Sequence, residues 1–552
     1  MKTDITTKEA GRYTVGRLFA ERAFEDPDRP FLLYPDVQKS RTYGQINAAC
    51  DGVARAIIAL IGDKSSHAAL WAPNVPRYLP VQVGCARAGI PLVLVNTNLK
   101  GADLEYVLVQ SDTRVLFLTG TSDNPESLVS IFKELCPDSG DERGGHRFIS
   151  SRFPKLEYVI FLGPGEYPGL MSFDQFLALG KSVSDEDLQT RITRVLPDDI
   201  FTIQYTSGTT GTPKGAMLTH AAYCMNSFAM ANRQGLNPSD ISCIPLPLFH
   251  AYGCLSFLAA VAAGASITVI ERFNPGLLLN TIESCRATMV CGTPTMFVAA
   301  LEELEQASYD LSSLRGGNMA GSPCPPDLVR NVCTRMGASE FGVLFGTTEA
   351  LVSIMNTYSD SLKHRSETLG TAMPDFSIRV VDPVSGTDVK VGGQGEFYMK
   401  TPSMMTRYYQ MPEKTAKAID ADGWYHSGDM VRANTDGYYM ITGRIKDVII
   451  RGGENIYPAA IEEFLITHPG ILDAQVVGVP SSYYGEEAVA FIRLKPGEQI
   501  TPLELKQYCR NHIAIDTVPA NFFIVDTYPL TASGKVQKFK LREKAVEILS
   551  DS

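Results

Sequence analysis

A short loop at residues 205–215 combines the residue types that hold phosphate groups. It reads YTSGTTGTPKG, in which glycines let backbone N–H groups converge, hydroxyls can donate hydrogen bonds and one lysine adds positive charge. A flexible Gly/Thr linker would rarely end in Pro-Lys-Gly between two apolar segments. Because Gly215 follows the lysine, the spacing is not that of a Walker A loop. The candidate phosphate-binding residues are Thr206, Ser207, Gly208, Thr209, Thr210, Gly211 and Lys214.

The surrounding pattern predicts the elements that would position this loop. Residues 200–205 alternate like a strand, and the apolar residues after Lys214 lead toward a helix beyond Thr219. Short apolar runs recur between helical patterns, which favours α/β layering with largely parallel sheets. After about residue 375, Gly/Asp turns separate strand-like segments, which predicts a small β-rich subdomain, and residues 136–147 read as a surface loop. The apolar runs are HAALWAP, IPLVLVN, TRVLFLTG, ASITVIE, ATMVCGTP and FGVLFG.

Composition limits the function classes. A chain of 552 residues with 44% hydrophobic residues can bury large cores and favours more than one domain. Its net charge of −11 argues against non-specific binding to nucleic acid or a membrane surface. Eleven scattered cysteines without CxxC pairs indicate reduced thiols, and no run of 18 apolar residues predicts a membrane span. The first 30 residues contain acidic residues and resemble neither a signal nor a transit peptide, so we expect a cytoplasmic protein.

Five further motifs follow the loop in a fixed order. They are IPLPLFHAYG, MAGSPCP, FGTTE, WYHSGD with GRIKDVIIRGGENIYP, and PLTASGK. Together with the loop they resemble the adenylate-forming superfamily, which includes acyl-CoA synthetases, luciferases and the adenylation domains of peptide synthetases. The resemblance covers residues from about 200 to 535, and the first 190 residues resemble the family more loosely.

The resemblance implies an α/β fold in two parts. Residues 1–445 would form a large N-terminal domain, built of α/β layered subdomains plus a β-rich subdomain, that holds ATP and the acyl group. Residues 446–552 would form a small, mobile α+β lid domain. The implied ligands are ATP, Mg²⁺, CoA and a small carboxylic acid. No nucleic-acid partner is implied, and a homodimer is left open.

The chemistry of such an enzyme needs no general base, because a carboxylate is already a nucleophile. Attack on ATP concentrates negative charge at the α-phosphate, which lysines, a metal and backbone donors can stabilise. By resemblance, Glu349 and Thr206 would hold Mg²⁺, Lys214 would bind phosphate, and Lys535 would bridge the acyl carboxylate and the α-phosphate. His250 would lie beside the substrate carboxylate, although a satisfied core histidine is the plain alternative.

The remaining nucleotide contacts also come from the resemblance. Phe345 would stack on adenine, and Asp429 would accept hydrogen bonds from the ribose hydroxyls with Arg444 beside it. Thr348 would lie near the α-phosphate. The full set implied for the adenine pocket and the phosphates is Gly321, Ser322, Pro323, Phe345, Gly346, Thr347 and Thr348.

Three residues near the domain boundary would serve the second half of the reaction. Lys446 stands where the family has its hinge, and Gly452 and Gly453 stand where the pantetheine arm of CoA passes. The plain alternatives are a solvated lysine and an ordinary tight turn. The histidines lack zinc-ligand spacing. One departure is Arg407, where the family commonly has glycine, which puts the local turn in doubt.

The sequence favours an ATP-dependent acid–CoA ligase that resembles medium-chain fatty acyl-CoA synthetases. An alicyclic or aromatic acid–CoA ligase is the close alternative. An adenylating enzyme that loads a carrier protein is another, but the insertion typical of fatty acyl-AMP ligases is not seen between Glu349 and Gly395. A silent nucleotide-binding module is the third. The candidate acyl-pocket residues carry no charge, which predicts an apolar monocarboxylic acid; they are Ala251, Tyr252, Gly253, Met319 and Ala320.

Overall fold

The computed structural model describes most of the chain. The described residues are 5–35, 39–62, 65–136, 140–141, 147–206, 213–451, 454–481, 483–515, 517–530 and 536–550.

The strands within these ranges are short. They are β1 (Pro30–Leu33), β2 (Arg41–Thr42), β3 (His67–Trp71), β4 (Leu92–Leu94), β5 (Thr113–Leu118), β6 (Gly140–Asp141), β7 (Phe148–Ile149), β8 (Tyr158–Phe161), β9 (Met171–Ser172), β10 (Ile200–Thr206), β11 (Lys214–Thr219), β12 (Ile241–Ile244), β13 (Ser266–Val269), β14 (Met289–Gly292), β15 (Gly316–Met319), β16 (Glu340–Thr347), β17 (Leu351–Met355), β18 (Thr371–Ala372), β19 (Ser377–Val381), β20 (Gln394–Lys400), β21 (Arg407–Tyr408), β22 (Tyr425–Ala433), β23 (Tyr439–Arg444), β24 (Ile449–Arg451), β25 (Glu454–Ile456), β26 (Ile471–Ser481), β27 (Gly485–Leu494) and β28 (Asn521–Ile524).

Helices alternate with these strands through the first two thirds of the chain. They are α1 (Thr7–Ala10), α2 (Val15–Glu25), α3 (Tyr43–Ile61), α4 (Tyr78–Ala88), α5 (Gly101–Gln110), α6 (Ser127–Leu135), α7 (Phe173–Leu179), α8 (Asp185–Thr193), α9 (His220–Arg233), α10 (Ala251–Ala263), α11 (Pro275–Cys285), α12 (Pro294–Gln306), α13 (Pro326–Arg335), α14 (Leu362–Glu367), α15 (Pro412–Ala418), α16 (Pro458–Ile466), α17 (Pro502–His512) and α18 (Lys538–Ser550).

The first large sheet has the strand order β21-β11-β10-β4-β3-β5-β8-β9. Its strands from β10 to β9 are parallel, whereas β11 pairs antiparallel with both β10 and β21. The parallel strands are buried apolar runs, as expected for a sheet covered on both faces. The β10–β11 hairpin therefore carries the phosphate-type loop at its tip.

The second large sheet has the order β18-β17-β16-β15-β14-β12-β13-β1-β2. Its central strands from β16 to β1 are parallel, and the strands beyond each end are antiparallel. Ligands of open parallel sheets bind beyond the carboxyl ends of the strands. In this sheet those ends lead directly into the segments around His250, Gly321 and Phe345.

Two smaller sheets follow along the chain. Strands β19-β20-β22-β23 form an antiparallel sheet, which fits the predicted β-rich region after residue 375. Strands β25-β24-β27-β26, with β28 parallel to β27, form the last sheet, and α16 packs against β26. A division of the chain at residue 445 stays a prediction.

The structure can be compared with several of the local predictions made from the sequence. Each of the six apolar runs contains a strand, and the predicted strand and helix around the loop are β10 and α9, so these predictions are confirmed. The segment 136–147 lies largely outside the described residues, and Gly140–Asp141 pairs with Phe148–Ile149. Among the described helices, α3 alone is long and apolar enough to cross a membrane by composition, but eight of its residues are buried and it packs against α4.

Candidate active site

The two strands of the hairpin bring Thr206 and Lys214 opposite each other. Thr206 ends β10, Lys214 begins β11, and the two residues are register partners. The Thr206 hydroxyl is buried and has no hydrogen-bond partner among the described residues. The other predicted phosphate-binding residues of the loop (Ser207, Gly208, Thr209, Thr210 and Gly211) lie outside the described residues.

A buried tyrosine connects Lys214 to Glu349. The Tyr408 hydroxyl donates a hydrogen bond to Glu349 Oε1 at 2.7 Å and accepts one from Lys214 Nζ at 3.1 Å. The ammonium also lies 4.4 Å from the centre of the Tyr408 ring, a cation–π distance. Tyr408 is 1% exposed and Glu349 7%. The predicted lysine and carboxylate are therefore neighbours in one buried network.

The donor atoms here fit a hard divalent cation. Glu349 offers a carboxylate, and the buried Thr206 hydroxyl offers an unpartnered oxygen. No group of three or more His, Cys, Asp or Glu side chains comes together within the described ranges. A Mg²⁺ ion would therefore be held by one or two protein oxygens and the phosphates of the nucleotide, as is usual for this ion.

The predicted ribose ligands form a salt bridge. Asp429 and Arg444 are register partners on β22 and β23, and Arg444 Nε lies 2.6 Å from Asp429 Oδ1. Asp429 is fully buried, while the Arg444 side chain is 43% exposed. Between this pair and Glu349 lies Tyr425, whose pKa is raised well above its ordinary value by burial and then by the Glu349 carboxylate.

The predicted adenine-binding segments leave the second large sheet side by side. Parallel strands β15 and β16 pair Met319 with Val343, so Gly321 and Phe345 both lie two residues farther along. Phe345 is half-buried and packs edge-on against Phe397 at 5.7 Å. Gly321 has φ 98°, a conformation that favours glycine. Ser322 is half-buried and Pro323 is exposed in the same turn.

The turn between Phe345 and Glu349 is tightly built. A Cβ on Gly346 would come within 2.2 Å of the Leu351 carbonyl oxygen, so this position accepts only glycine. The Thr347 hydroxyl accepts a hydrogen bond from the Ala350 N–H at 3.1 Å. Thr348 is half-buried.

His250 lies at the start of α10. A side chain from a distant part of the sequence holds the segment before it in place. Its ring contacts Phe249 at 4.7 Å. The buried Asn74 amide donates to the carbonyls of Leu246 and Ile270, and its oxygen accepts from the Leu248 N–H at 2.8 Å. One side chain thus ties the segment before His250 to the second sheet.

A chain of neutral polar groups runs from the predicted acyl-pocket residue Tyr252 through Asn318 to Gln234. The Tyr252 hydroxyl donates to the Asn318 carbonyl at 3.0 Å and contacts its side-chain oxygen, and Asn318 Nδ2 donates to Gln234 at 2.7 Å. Gln234 and Asn318 border a small cavity of about 10 Å³, the size of one water molecule. Met319 and Ala320 are buried. Gly253 lies against Pro247, whose carbonyl oxygen would be 2.3 Å from an added Cβ.

The cysteines do not offer a nucleophile. Burial raises the pKa of the Cys254 and Cys291 thiols to about 12, so both are protonated at neutral pH. All eleven cysteines are free thiols.

Of the remaining predicted site residues, one is exposed near the predicted domain boundary and three lie outside the described residues. Lys446 is exposed in a 3₁₀ turn, Ile445–Asp447, directly after β23. Gly452, Gly453 and Lys535 lie outside the described residues. Arg407, the departure from the family pattern, is exposed in the extended strand β21, so no special turn is needed there.

Sequence reasoning missed three residues of the site. Tyr408 directly follows Arg407, and none of the motifs includes it. Gln204 is a buried polar residue in an apolar strand; its Nε2 lies 3.4 Å from the Phe249 carbonyl, and its Oε1 has no partner among the described residues. That unusual residue type in β10 was a usable signal, whereas nothing around Asn74 signals its role.

Comparisons with known proteins support a nucleotide-binding site. Residues 19–409 match a family described as AMP-binding enzyme, and residues 460–535 match the AMP-binding enzyme C-terminal domain.

Similar proteins cover nearly the whole chain. The putative acyl-CoA synthetase YngI of Bacillus subtilis is 42% identical over 97% of this chain and 98% of its own length. The mitochondrial medium-chain acyl-CoA ligase ACSF2 of Homo sapiens is 36% identical over 98% of this chain and 88% of its own. The crystal structure of the anthranilate CoA ligase AuaEII with anthranoyl-AMP superposes with a TM-score of 0.84 at 25% identity and covers both chains fully.

Proposed function

The chain belongs to the AMP-binding enzyme family and is an AMP-forming acid–CoA ligase, and we propose that its substrate is an apolar monocarboxylic acid, best a medium-chain fatty acid. The acid would first become an acyl-adenylate and then a CoA thioester. From the sequence we also propose a cytoplasmic location.

The observation that carries the proposed chemistry is the meeting of Lys214 and Glu349 around Tyr408. Adenylation forms a bond between a carboxylate oxygen and the α-phosphorus and breaks the bond to pyrophosphate. Lys214 would stabilise the negative charge that gathers on the phosphates. Mg²⁺, when held by Glu349 and Thr206, supplies further charge neutralisation. The CoA sulfur then attacks the acyl carbon, and AMP leaves.

Recognition of the nucleotide sugar would fall to Asp429. A buried carboxylate can accept hydrogen bonds from both ribose hydroxyls, and the salt bridge to Arg444 orients it. Phe345 would offer its ring to the adenine at the neighbouring strand end.

The pocket supports an apolar acid. The predicted acyl-pocket residues Ala251, Tyr252, Gly253, Met319 and Ala320 carry no charged side chain. A second carboxylate or an amino group would therefore be buried there without an opposite charge, which costs several kcal/mol. The name of the human relative, a medium-chain acyl-CoA ligase, supports a linear acid.

A panel of acids tests this substrate class. Butanoic, octanoic, dodecanoic, hexadecanoic, cyclohexanecarboxylic and benzoic acids are compared by pyrophosphate release and by CoA consumption. We expect octanoic acid to give the highest kcat/KM. A buried methylene is worth about 0.8 kcal/mol, roughly fourfold in binding, so neighbouring chain lengths should differ only modestly. Preference for an amino acid or a dicarboxylic acid would contradict the proposal.

Tyr252 should limit the length of the chain. Tyr252→Ala removes a half-buried ring near the start of α10, two residues after His250, so we expect the optimum to shift toward longer acids. Tyr252→Phe is the matched control, because it keeps the ring and loses only the bond to Asn318. An unchanged optimum in Tyr252→Ala would mean that the acyl chain runs elsewhere.

An aromatic or alicyclic acid is the second candidate. It is favoured by the structural similarity to an anthranilate CoA ligase. Higher kcat/KM for benzoic or cyclohexanecarboxylic acid in the same panel would select it. Rapid AMP release with a carrier protein but not with free CoA would instead select the carrier-loading alternative.

A further inference from the structure

The register of two strands brings Tyr408 to the phosphate-type loop. In the antiparallel pair of β11 and β21, Tyr408 lies opposite Ala216. Lys214 is two residues away on the same face of β11, at the diagonal distance that long side chains bridge. Tyr408 therefore reaches the lysine because of backbone pairing and not by chance contact.

The backbone around Tyr408 is anchored on three sides. The N–H of Met405 donates to the Glu349 carbonyl at 2.6 Å, and the N–H of Tyr409 donates to the Gly215 carbonyl at 2.8 Å. The N–H of Tyr408 itself donates to the Thr415 hydroxyl at 3.0 Å. The phenol is thus fixed relative to both the loop and the turn that carries Glu349.

The Tyr408 hydroxyl donates one hydrogen bond and accepts another. A tyrosine hydroxyl has one proton to donate, which goes to Glu349, and its oxygen accepts from Lys214. The two bonds therefore place the phenol between the ammonium and the carboxylate.

We propose that Tyr408 is a positioning residue for adenylation, which holds the Lys214 ammonium and the Glu349 carboxylate apart while keeping both directed at the nucleotide phosphates. The inference rests on the proposed function. Lys214 and Glu349, both described residues, form no direct ion pair. Without the hydroxyl, the Lys214 ammonium and the Glu349 carboxylate would form a direct ion pair. Lys214 would then no longer bind the phosphates, and Glu349 would no longer bind Mg²⁺.

Tyr408→Phe tests this role because it removes the hydroxyl and keeps the ring. Its control is Tyr409→Phe, which removes a neighbouring hydroxyl that donates to Asp112 at 2.9 Å. We measure equilibrium binding of ATP with Mg²⁺ and with EDTA, pyrophosphate release with octanoate, and thioester formation from synthetic octanoyl-AMP. Thermal melting of each variant reports on the fold.

The expected result is a loss confined to the first half-reaction. Hydrogen bonds to charged groups are typically worth about ten- to a hundredfold. In Tyr408→Phe, we expect adenylation to slow by about that factor and the gain in ATP affinity from Mg²⁺ to shrink. ATP binding in EDTA should change less, and thioester formation should be retained. Tyr409→Phe should match the wild type in every assay.

A second pair of variants shows whether Tyr408 acts through Glu349. Glu349→Gln should itself weaken the Mg²⁺-dependent gain in ATP binding, and adding Tyr408→Phe to it should cause little further loss. Full additivity in this cycle would overturn the inference. So would a Tyr408→Phe protein that behaves like Tyr409→Phe, or one in which both half-reactions fall together with the melting temperature. Failure of the wild type to adenylate any acid would instead overturn the proposed function.

Discussion

Neutral side chains hold the charged ones of this site in place. Tyr408 separates Lys214 from Glu349, and Asn74 fixes the segment before His250. Among the described residues of the site, Asp429 and Arg444 are the opposite charges that meet directly. Such an arrangement leaves the other charged groups free to interact with a charged substrate, because they are not already neutralised by each other.

A half-buried carboxylate in the last sheet should make stability depend on pH. Burial raises the pKa of Asp473 on β26 to about 6, against about 4 in an unfolded chain. The folded protein therefore binds more protons between these values, and the free energy of unfolding falls as pH rises from about 4 to about 6. Asp473→Asn removes this penalty, so at pH about 7 it should raise the melting temperature by about 2 °C.

The same substitution should have almost no effect at pH about 3, where Asp473 is mostly protonated in both states. Asp526→Asn, at an exposed position, serves as the control and should change the melting temperature at neither pH. Equal stabilisation by Asp473→Asn at both pH values would refute the assigned cause.

At the scale of elements, the short strand β21 connects β11, which follows the loop, to the rest of the site. It contains only Arg407 and Tyr408, and it pairs with β11 at the edge of the first large sheet. Edge position leaves the Arg407 side chain exposed, so the residue type there should matter little for chemistry.

Arg407→Gly restores the residue that the family commonly has, and it should not improve the enzyme. Glycine in a strand costs about 0.5–1 kcal/mol in stability because it loses more conformational freedom on folding. We expect a slightly lower melting temperature and kcat/KM within about twofold. Arg407→Thr removes the charge but suits a strand, and it should melt like the wild type. A large gain in activity with glycine would show that the arginine obstructs the site.

The elements themselves were largely predictable, but their pairing was not. Each apolar run contains a strand because a sheet covered on both faces needs uninterrupted apolar residues. The pairing of Asp429 with Arg444 depends on a turn and a register shift between Met430 and Val431, which no local pattern reveals. Tyr408 and Glu349 are likewise joined only through tertiary contacts.

At the scale of the whole molecule, the two half-reactions make different demands on the last hundred residues. Lys535 is proposed for adenylation and Gly453 for passage of CoA, although both lie on what we predict to be one small domain. A rigid body cannot present both to one site at once. Rotation about Lys446 is the simplest resolution.

Separate substitutions should divide the reaction. Lys535→Ala should abolish acyl-adenylate formation and largely spare thioester formation from supplied acyl-AMP. Gly453→Leu should do the reverse, because a side chain would block the pantetheine path. Isotope exchange into ATP and thioester yield from synthetic acyl-AMP are measured on both variants. Equal loss of both steps in both variants would argue for a single conformation or a damaged fold.

The three hydrogen bonds of Asn74 have a thermodynamic consequence. They hold residues 246–248 in place before any acid arrives, so binding the acid need not freeze that backbone. The entropy of ordering was already lost during folding. The amide of Leu248 should accordingly exchange with deuterium as slowly in the empty enzyme as in the presence of the acid, and calorimetry should find little unfavourable entropy from this segment.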